Sequence, residues 1–296
     1  MAVLNPVGVA RAWMRHARGL GLAPGLALAL LLPVASAALA QAVERGERER
    51  LRVCADANLM PYSNDAEEGF ENRLAERVAD RLGVPLRYTW WPQTMGFVRN
   101  TLRARTCDLI MGINEQNELV QNTNPYYRSV YTLVYRRGLG LDIDRVADPL
   151  VRNLRIGVVE ATPAVSLLQA YNHGNFRSYQ LTTDTRTHQP ARQAIQDAAQ
   201  GVVDAAIVWG PLAGYFARQQ ATEMAVVPLV DEPAPVQLDF YITMGLRHGE
   251  PDWRHWLNDF IRQNRDGIRD LLLSYDVPLL DRDGRLIRDA DGEATP

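Results

Sequence analysis

The sequence contains no lysine, only two cysteines and five histidines. Apart from the histidines, its basic residues are therefore all arginines, a bias of composition to which we attach no function. The four histidines after residue 40 show no metal-ligand spacing, and neither cysteine has a histidine nearby. These histidines are His173, His188, His248 and His255. No metal site and no cofactor is predicted.

The chain also lacks a basic surplus. Its 296 residues carry a formal net charge of −3. Residues 1–40 hold three arginines and no acid, so the charge of the remainder falls by three, to −6. Nucleic-acid binders need positive surface to neutralise phosphates, and this balance argues against that class. With 47% hydrophobic and 23% charged residues, the composition is that of a globular protein with room for two modest domains.

The first forty residues have the pattern of a secretory signal peptide. Arg11, Arg15 and Arg18 form a positive start, residues 26–39 are apolar, and residues 38–40 are a small-x-small cleavage site. A membrane anchor is the alternative, but it would need about 20 apolar residues. No cysteine closely follows the apolar run, so a lipoprotein anchor is unsupported. We expect cleavage near Ala40, a periplasmic location and no membrane span in the mature chain.

The two cysteines would then lie in a compartment that can oxidise them. Cys54 and Cys107 both occupy predicted strand positions. They form a disulfide, or the strand register holds them too far apart to do so. The sequence leaves both alternatives open.

Residues 88–127 show the plan of the chain most clearly. A strand at 86–91 is followed by a helical stripe at 96–105 and by the apolar strand 108–111, which Gly112 is expected to end. Parallel strands joined by a helix end on one rim of a sheet, and ligand crevices lie along that rim. We therefore expect the functional residues in 112–127 and in whatever faces that segment.

Similar strand and helix patterns occur along the rest of the chain. The predicted strands are 51–55, 130–135, 154–159, 203–209, 224–229 and 238–246, and the predicted helices are 70–82, 163–170, 190–200, the segment from Gly210, and two after Pro251. The series restarts at residue 154 after a polar stretch at 136–151. The last segment, 281–296, is polar and is predicted to be a flexible tail.

The predicted fold is α/β, with two lobes built from two mixed sheets flanked by helices. Lobe 1 comprises 41–135 plus 236–280 and lobe 2 comprises 136–235, with hinge crossings near 133–137 and 233–240. This plan resembles the periplasmic solute-binding proteins of family 3, with the type II fold. The resemblance rests on Pro61-Tyr62-Ser63, Gly69-Phe70-Glu71, the segment 107–112, Pro125-Tyr126-Tyr127 and the segment 203–215.

A narrower similarity rests on three motifs. They are Trp90-Trp91-Pro92-Gln93 with the segment 96–102, Pro125-Tyr126-Tyr127-Arg128-Ser129, and the segment 208–216. These are similar to the solute-binding-like accessory proteins of methanol oxidation, the MoxJ/XoxJ type. The resemblance implies a periplasmic, non-catalytic protein that binds a pyrroloquinoline-quinone (PQQ) dependent methanol or alcohol dehydrogenase and helps to mature or activate it.

Amino-acid-binding members of the wider family hold the ligand with an Arg about seven residues after the glycine equivalent to Gly112 and with an Asp at the end of a second-lobe strand. Leu119 or a close neighbour stands at the first position and Trp209 at the second. A buried zwitterion without these partners would cost several kcal/mol. We therefore do not expect ordinary amino-acid capture.

The candidate binding residues on the rim are mostly aromatic, with Trp91 expected nearby. They are Tyr62, Asn114, Tyr126, Tyr127, Trp209 and Tyr215. The alternative is that they pack in the core or under the lobe interface. As a group they suit an apolar or amphipathic partner such as a protein or peptide segment.

Two other functions are considered. One is a transport receptor that delivers a small non-amino-acid solute to an ABC-type importer, which the fold alone favours. The other is an enzyme, since cyclohexadienyl-dehydratase-like enzymes share the fold, but no nucleophile, base or metal set is visible in the sequence. The docking module is the leading hypothesis.

Overall fold

The computed structural model describes residues 48–182 and 184–287. The predicted signal peptide and residues 288–296 of the predicted tail lie outside the described residues. Described residues from Glu49 onward form one compact unit. Within the described part of the chain, no helix combines the length and the apolar character that crossing a membrane requires.

The secondary structure alternates strands and helices. The strands are β1 Leu51–Ala55, β2 Asn58–Leu59, β3 Ser63–Asn64, β4 Leu86–Trp90, β5 Leu109–Asn114, β6 Gln121–Asn122, β7 Tyr127–Arg136, β8 Ile156–Val159, β9 Phe176–Tyr179, β10 Ala205–Trp209, β11 Met224–Pro228 and β12 Asp239–Leu246. The helices are α1 Phe70–Leu82, α2 Phe97–Asn100, α3 Pro163–Ala170, α4 Pro190–Gln200, α5 Gly210–Arg218, α6 Pro251–Gln263 and α7 Arg265–Leu273. Short 3-10 turns lie at Arg137–Leu139 and Pro149–Asn153.

Two mixed sheets share strand β7. The first has the order β4-β1-β5-β12-β7, with β6 paired to β12, and the second has the order β7-β10-β8-β9, with β11 paired to β7. In each sheet some neighbours are parallel, such as β1 with β5 and β8 with β10, and others are antiparallel. The predicted α/β fold with two lobes is confirmed. We use first lobe and second lobe for the elements around these two sheets.

Strand β7 changes partners in its middle. Tyr127 to Val130 pair with β12, and Tyr131 to Tyr135 pair with β10. The first crossing between the sheets therefore comes at Val130 and Tyr131, earlier than the predicted 133–137. The Tyr131 amide donates to the Leu238 carbonyl at 2.9 Å, which places the second crossing beside the first. The lobe boundaries at 135 and 236 stay predictions.

Helix α1 shows how the sequence builds the first lobe. Phe70, Leu74 and Val78 recur at four-residue steps and are fully buried against β1 and β5. The helix ends at Gly83, whose φ of 71° is left-handed. It begins after Gly69, where a Cβ would lie 2.0 Å from the Tyr62 carbonyl oxygen, so only glycine fits this approach.

The core of the second lobe forms on both faces of its sheet. Leu133, Ile156, Leu167 and Ile207 pack on one side, and a second cluster around Ile195 packs α4 and α5 on the other. These strands are buried on both faces, which explains their continuous apolar runs. The second sheet thereby positions α4 and α5 beside the end of β10.

Three predicted details are wrong. The helix 96–105 is the single turn α2, which ends at Thr101, where the backbone leaves helical geometry with φ −121° and ψ −84°. Strand β5 does not stop at Gly112 but runs on to Asn114. This glycine is needed because a Cβ would lie 2.0 Å from the Glu71 carboxyl. Strand β9 was missed because its sequence, Phe-Arg-Ser-Tyr, is half polar.

The start of the predicted tail is also packed against the fold. The Leu280 amide donates to the Arg128 carbonyl at 2.9 Å, and the Ile287 amide donates to the Leu279 carbonyl at 2.8 Å. Residues 281–287 therefore form a turn that returns to the first lobe. The prediction of a flexible tail is wrong for these seven residues.

Candidate functional site

The loop after β1 meets the segment before α4 where the two lobes face each other. Four residues connect them, two from each side, and we call them the latch: Asp56, Asn58, Thr185 and Gln189. Asp56 is 1% exposed and Thr185 is 2% exposed, so the contact excludes water. The predicted segment 112–127 contributes none of these four residues.

Hydrogen bonds across the latch are short. The Thr185 hydroxyl lies 2.9 and 2.7 Å from the two carboxylate oxygens of Asp56 and donates to one of them at a time. The side-chain amide of Asn58 donates to the backbone carbonyl of Thr185 at 2.8 Å, and the side-chain amide of Gln189 donates to the backbone carbonyl of Asn58 at 2.7 Å. Side chains of the protein itself thus hold the lobes together at this point.

Asp56 is also fixed within its own lobe. Its carboxylate accepts from the backbone amides of Asn58, at 2.9 Å, and Gln93, at 2.7 Å. The Ser63 hydroxyl donates to the Asp56 carbonyl at 2.7 Å. Three donors of the protein thus reach this buried carboxylate, as a buried acid requires.

Trp209 lies at the junction of the two lobes. Its ring is 5.4 Å from that of Tyr131 and 5.9 Å from that of Phe240, between centroids, and both contacts are tilted or edge-on. The Tyr62 hydroxyl lies next to the Trp209 indole. The aromatic side chain therefore packs the junction where amino-acid binders have an acid.

Three of the four predicted rim tyrosines lie together beneath the junction. Tyr127 is in the first-lobe core against Phe70, and Tyr126 contacts Tyr127 edge-on at 5.0 Å. Tyr62 packs on Phe70 at 5.2 Å. Burial raises the pKa of all three hydroxyls well above the usual value. Tyr127 is buried and Tyr62 and Tyr126 are partly buried, so their packing follows the alternative stated above and not an open rim.

Glu71 lies close to these tyrosines. Its side chain faces Gly112 and has no hydrogen-bond donor among the described residues. Burial, and then the charge of Asp56, raise the pKa of Glu71 to about 8. The carboxyl is therefore protonated at neutral pH and fills space as an uncharged group.

A cavity of about 210 Å³ lies beside the latch. Leu59 and Met60 close it from the first lobe, and most of its wall is apolar side chains of the second lobe. These include Val159, Ile207, Trp209, Leu212 and Phe216. No Asp or Glu is among the described residues that line it. An ammonium group placed there would have no carboxylate partner, which agrees with the expectation against amino acids.

The other predicted site residues lie apart from the cavity wall. Asn114 ends β5 and accepts from the Gln116 amide at 2.8 Å, as the cap of a turn. Tyr215 packs edge-on against Phe216 at 5.2 Å, on a different side of α5 from the cavity. Leu119 is 52% exposed, so it does not stand in a buried crevice in place of the arginine.

The loop after β4 presents exposed apolar side chains. Trp91 is 43% exposed and Met95 is 97% exposed. Gln93 fixes the loop, since its backbone amide binds Asp56 and its side-chain amide donates to the Gly112 carbonyl at 3.2 Å. The two apolar side chains are thus held out to solvent by a loop that is tied to the latch.

Cys54 and Cys107 are joined by a disulfide, with Cα atoms 5.5 Å apart. The bridge links β1 to the residue two positions before β5, directly beneath the Asp56 loop. Of the two alternatives for these cysteines, the structure has the bridged one. Within the described residues no cluster of three or more His, Cys, Asp or Glu could hold a metal ion.

Sequence reasoning missed the latch. Asp56 directly follows a buried strand, which is a position for a functional acid, and this signal was available. Thr185 and Gln189 lie in a polar segment without a motif, and nothing in the sequence pairs them with residues more than a hundred positions earlier. Glu71 was noted only as part of a family motif.

Comparisons with known proteins agree with this architecture. The family model of the bacterial extracellular solute-binding proteins, family 3, matches residues 51–269. Protein MoxJ of Methylorubrum extorquens is 27% identical over 248 residues, which is 78% of this chain and 81% of that protein. Protein MoxJ of Paracoccus denitrificans is 25% identical over 267 residues, 85% of this chain and 95% of that protein.

A solved structure gives the same result. The periplasmic binding protein XoxJ from Methylobacterium extorquens AM1 is 41% identical, with a TM-score of 0.67, and the match covers 78% of this chain and all of that one. The family match spans well over half of the chain, and the fold and the sequence point to the same relatives. The chain therefore belongs to family 3 of the bacterial extracellular solute-binding proteins and is homologous to MoxJ and XoxJ.

Proposed function

We propose that this protein is a periplasmic accessory protein that binds a PQQ-dependent methanol or alcohol dehydrogenase and assists its maturation or activation, without catalysis of its own. The latch is the observation that carries the proposal. Thr185 binds Asp56 directly and Gln189 binds the Asn58 carbonyl, so contacts within the protein itself support the arrangement of the two lobes. The similarity to MoxJ and XoxJ supports the same reading.

A pair of lobes joined by direct hydrogen bonds has a functional advantage for docking. A surface that is already ordered loses less conformational freedom on binding, so more of the contact energy appears as affinity. The latch and the disulfide both fix the loop after β1, and Gln93 ties the loop after β4 to it. The partner therefore meets a preformed surface.

The loop with Trp91 and Met95 is the surface that we assign to the dehydrogenase. Exposed aromatic and methionine side chains on a fixed loop are typical anchors of protein interfaces. Exposure of 97% for Met95 leaves nearly its whole side chain available for burial by a partner. We expect these two residues to enter an apolar depression on the dehydrogenase.

Binding measurements with the cognate methanol dehydrogenase test this proposal. We expect Met95→Asp and Trp91→Ala each to weaken binding about tenfold or more, because an interface anchor contributes about 1.4 kcal/mol or more. Arg262→Ala, on the exposed face of α6, is the control and should bind like the wild type. The readout is a titration by interferometry, after circular dichroism has shown that each variant is folded.

Trp209→Asp would be a less direct test. Because Trp209 packs against Tyr131 and Phe240, the new carboxylate would disturb the lobe junction itself.

Equal binding by wild type, Met95→Asp and Trp91→Ala would remove the loop from the proposal. Absence of binding by the wild type under all conditions would remove the dehydrogenase.

A second candidate is a transport receptor for a small non-amino-acid solute. The cavity beside the latch favours it, since residues of both lobes line it. Neighbouring genes separate the two functions. A dehydrogenase and a cytochrome beside this gene support the accessory role, and an importer permease with its ATPase supports the receptor.

A further inference from the structure

The loop after β4, which carries Trp91 and Met95, lies in a stretch with charge of one sign. Residues 86–107 contain four arginines and no Asp or Glu, although the whole chain has more acids than arginines. We call these arginines the basic flank: Arg87, Arg99, Arg103 and Arg105. All four are exposed, and none has a carboxylate partner among the described residues. The two apolar side chains are therefore bordered by positive charge that no acid of the same stretch offsets.

Strand β4 brings one part of the basic flank to the loop. The Trp91 amide continues the ladder of β4 with β1, at 2.9 Å. Successive side chains of a strand alternate between its faces, so Arg87, Thr89 and Trp91 share a face. The Thr89 hydroxyl donates to the Thr106 carbonyl at 2.8 Å, which places the turn at 103–106 against this strand. Arg87 and the turn thus border the strand that leads into the loop.

Two more arginines are fixed by local contacts. A Cβ on Gly96 would lie 3.6 Å from the Arg99 guanidinium, so that side chain folds back on the loop beside Met95. Arg105 has a left-handed φ of 60°, and its carbonyl accepts from the Arg52 guanidinium at 3.0 Å. The disulfide to β1 begins two residues further on. The backbone that carries the basic flank is therefore preformed.

The acids next to this stretch already have arginine partners. Asp108 is paired with Arg52 at 2.7 Å and with Arg247 at 3.0 Å, and Arg247 also binds Glu250 at 2.8 Å. These two acids and two arginines cancel in charge. The formal charge of −3 falls to −6 without the three arginines of residues 1–40, so the basic flank is a local positive surface on an acidic protein. An apolar centre with a polar rim is the usual anatomy of a protein interface.

We propose that the dehydrogenase presents acidic residues around the apolar depression that receives Trp91 and Met95, and that the basic flank steers the two proteins together. This inference rests on the proposed function and adds the charge of the partner surface to it. Arginine forms planar, two-point hydrogen bonds with carboxylates. Complementary charge at the rim of an interface raises the association rate more than the final affinity.

An anionic membrane is a poorer match for the basic flank than an acidic protein surface. The net charge of −6 repels an extended anionic surface. A small acidic patch interacts mainly with charges within about 8 Å at physiological salt, which is the Debye length there. Such a patch meets the basic flank without the repulsion from the rest of the chain.

Association kinetics with the cognate dehydrogenase test the proposal. The flank variant carries Arg99→Gln, Arg103→Gln and Arg105→Asn, because Asn adopts a left-handed φ more readily than Gln. At an ionic strength of about 0.01 M, where the Debye length is about 30 Å, we expect its association rate constant to fall about tenfold. Its dissociation rate constant should change by less than about twofold. At about 1 M salt, where the Debye length is about 3 Å, variant and wild type should associate at equal rates.

A matched control removes the same charge from another surface of the first lobe. It carries Arg262→Gln, Arg265→Gln and Arg282→Gln, at three exposed positions. This control measures the effect of net charge alone, and the flank variant should lose about fivefold more in association rate than the control does. Trp91→Ala should instead raise mainly the dissociation rate constant, as the loss of an apolar anchor does. Circular dichroism first shows that each variant is folded.

Equal association rates for the flank variant and the control would overturn the proposal, and faster association of the flank variant would do so by indicating a basic partner surface. Vesicles of phosphatidylglycerol that compete with the dehydrogenase for the wild type would overturn it in favour of a lipid surface. Binding that Trp91→Ala weakens and the flank variant leaves unchanged would overturn this inference and keep the proposed function. Absence of binding by the wild type would overturn both.

Discussion

Asp56 and Glu71 are both buried acids of the first lobe, and their surroundings differ completely. Asp56 is 1% exposed and accepts hydrogen bonds from two backbone amides and the Thr185 hydroxyl. Glu71 is 5% exposed and faces tyrosines and a glycine with no donor among the described residues. The comparison teaches that donors, not depth of burial, decide whether a buried carboxyl connects elements or only fills space.

Removal of Asp56 should have the largest effect. In Asp56→Ala the Thr185 hydroxyl and the amides of Asn58 and Gln93 lose their acceptor in a dry site. Each buried group left without a partner costs about 1–3 kcal/mol, so we expect a loss of about 3–5 kcal/mol in the free energy of unfolding. Urea denaturation followed by circular dichroism measures this loss.

Asp56→Asn is the matched control for that variant. Its carbonyl oxygen keeps one acceptor, so it should lose less than Asp56→Ala. Small-angle scattering should show a larger radius of gyration for Asp56→Ala than for the wild type, because the latch no longer holds the lobes closed. The same stability and the same radius for Asp56→Ala and wild type would mean that the latch does not hold the lobes.

The next largest effect should be a pH dependence of the free energy of unfolding, which comes from the titration of Glu71. Its pKa is about 8 in the folded protein, against 4.5 for an unperturbed Glu. Between these values the unfolded chain is ionised while the folded chain keeps the proton, so each rise of one pH unit costs about 1.4 kcal/mol of stability. The contribution of the neutral Glu71 is fully present below pH 4.5 and is lost as the pH rises through 8.

Glu71→Gln removes this dependence because its amide does not titrate. We expect the variant to gain on the wild type by a few kcal/mol as the pH goes from 5 to 8.5, as shown by urea titrations at each pH. The difference between the two proteins cancels the titration of all other groups. Parallel stability curves for variant and wild type would mean that Glu71 is ionised in the folded protein.

Tyr126→Phe should have the smallest effect. The Tyr126 hydroxyl is buried and has no hydrogen-bond partner among the described residues. Removing the hydroxyl breaks no hydrogen bond and eliminates an unsatisfied polar atom. The free energy of unfolding should therefore change by less than about 1 kcal/mol or rise slightly. A loss of 2 kcal/mol or more in thermal unfolding would show that the hydroxyl has a partner, with Tyr127→Phe as the comparison.

The fold was largely predictable because its signals are local. Several elements follow from the spacing of apolar residues and from the Gly and Pro residues that bound them. They include the strand Leu51–Ala55, the helix with Phe70, Leu74 and Val78 on one face, and the helix from Pro190. The helix after Gly96 was overestimated because the backbone leaves helical geometry at Thr101. The periodicity of apolar residues does not record such a turn.

The candidate site was less predictable because its contacts are distant in sequence. Trp209 was predicted on the cleft rim from its position at the end of a strand, and in the structure it packs against Tyr131 and Phe240 at the lobe junction. The latch depends on Thr185 reaching Asp56 across 129 positions, which no local pattern encodes. Tyr62, Tyr126 and Tyr127 were predicted on the rim, but whether an aromatic residue packs inward or faces a rim is decided by its neighbours.

Strand β7 makes the order of synthesis matter for this protein. The first sheet needs β12 between β5 and β7, and β12 begins only at Asp239, after the whole second sheet has been made. A growing chain that has reached Arg218 holds β1, β4 and β5 but not the strand that joins them to β7. The first lobe therefore completes its sheet last, although its residues leave the ribosome first, and the second lobe provides the β7 edge on which β12 closes it.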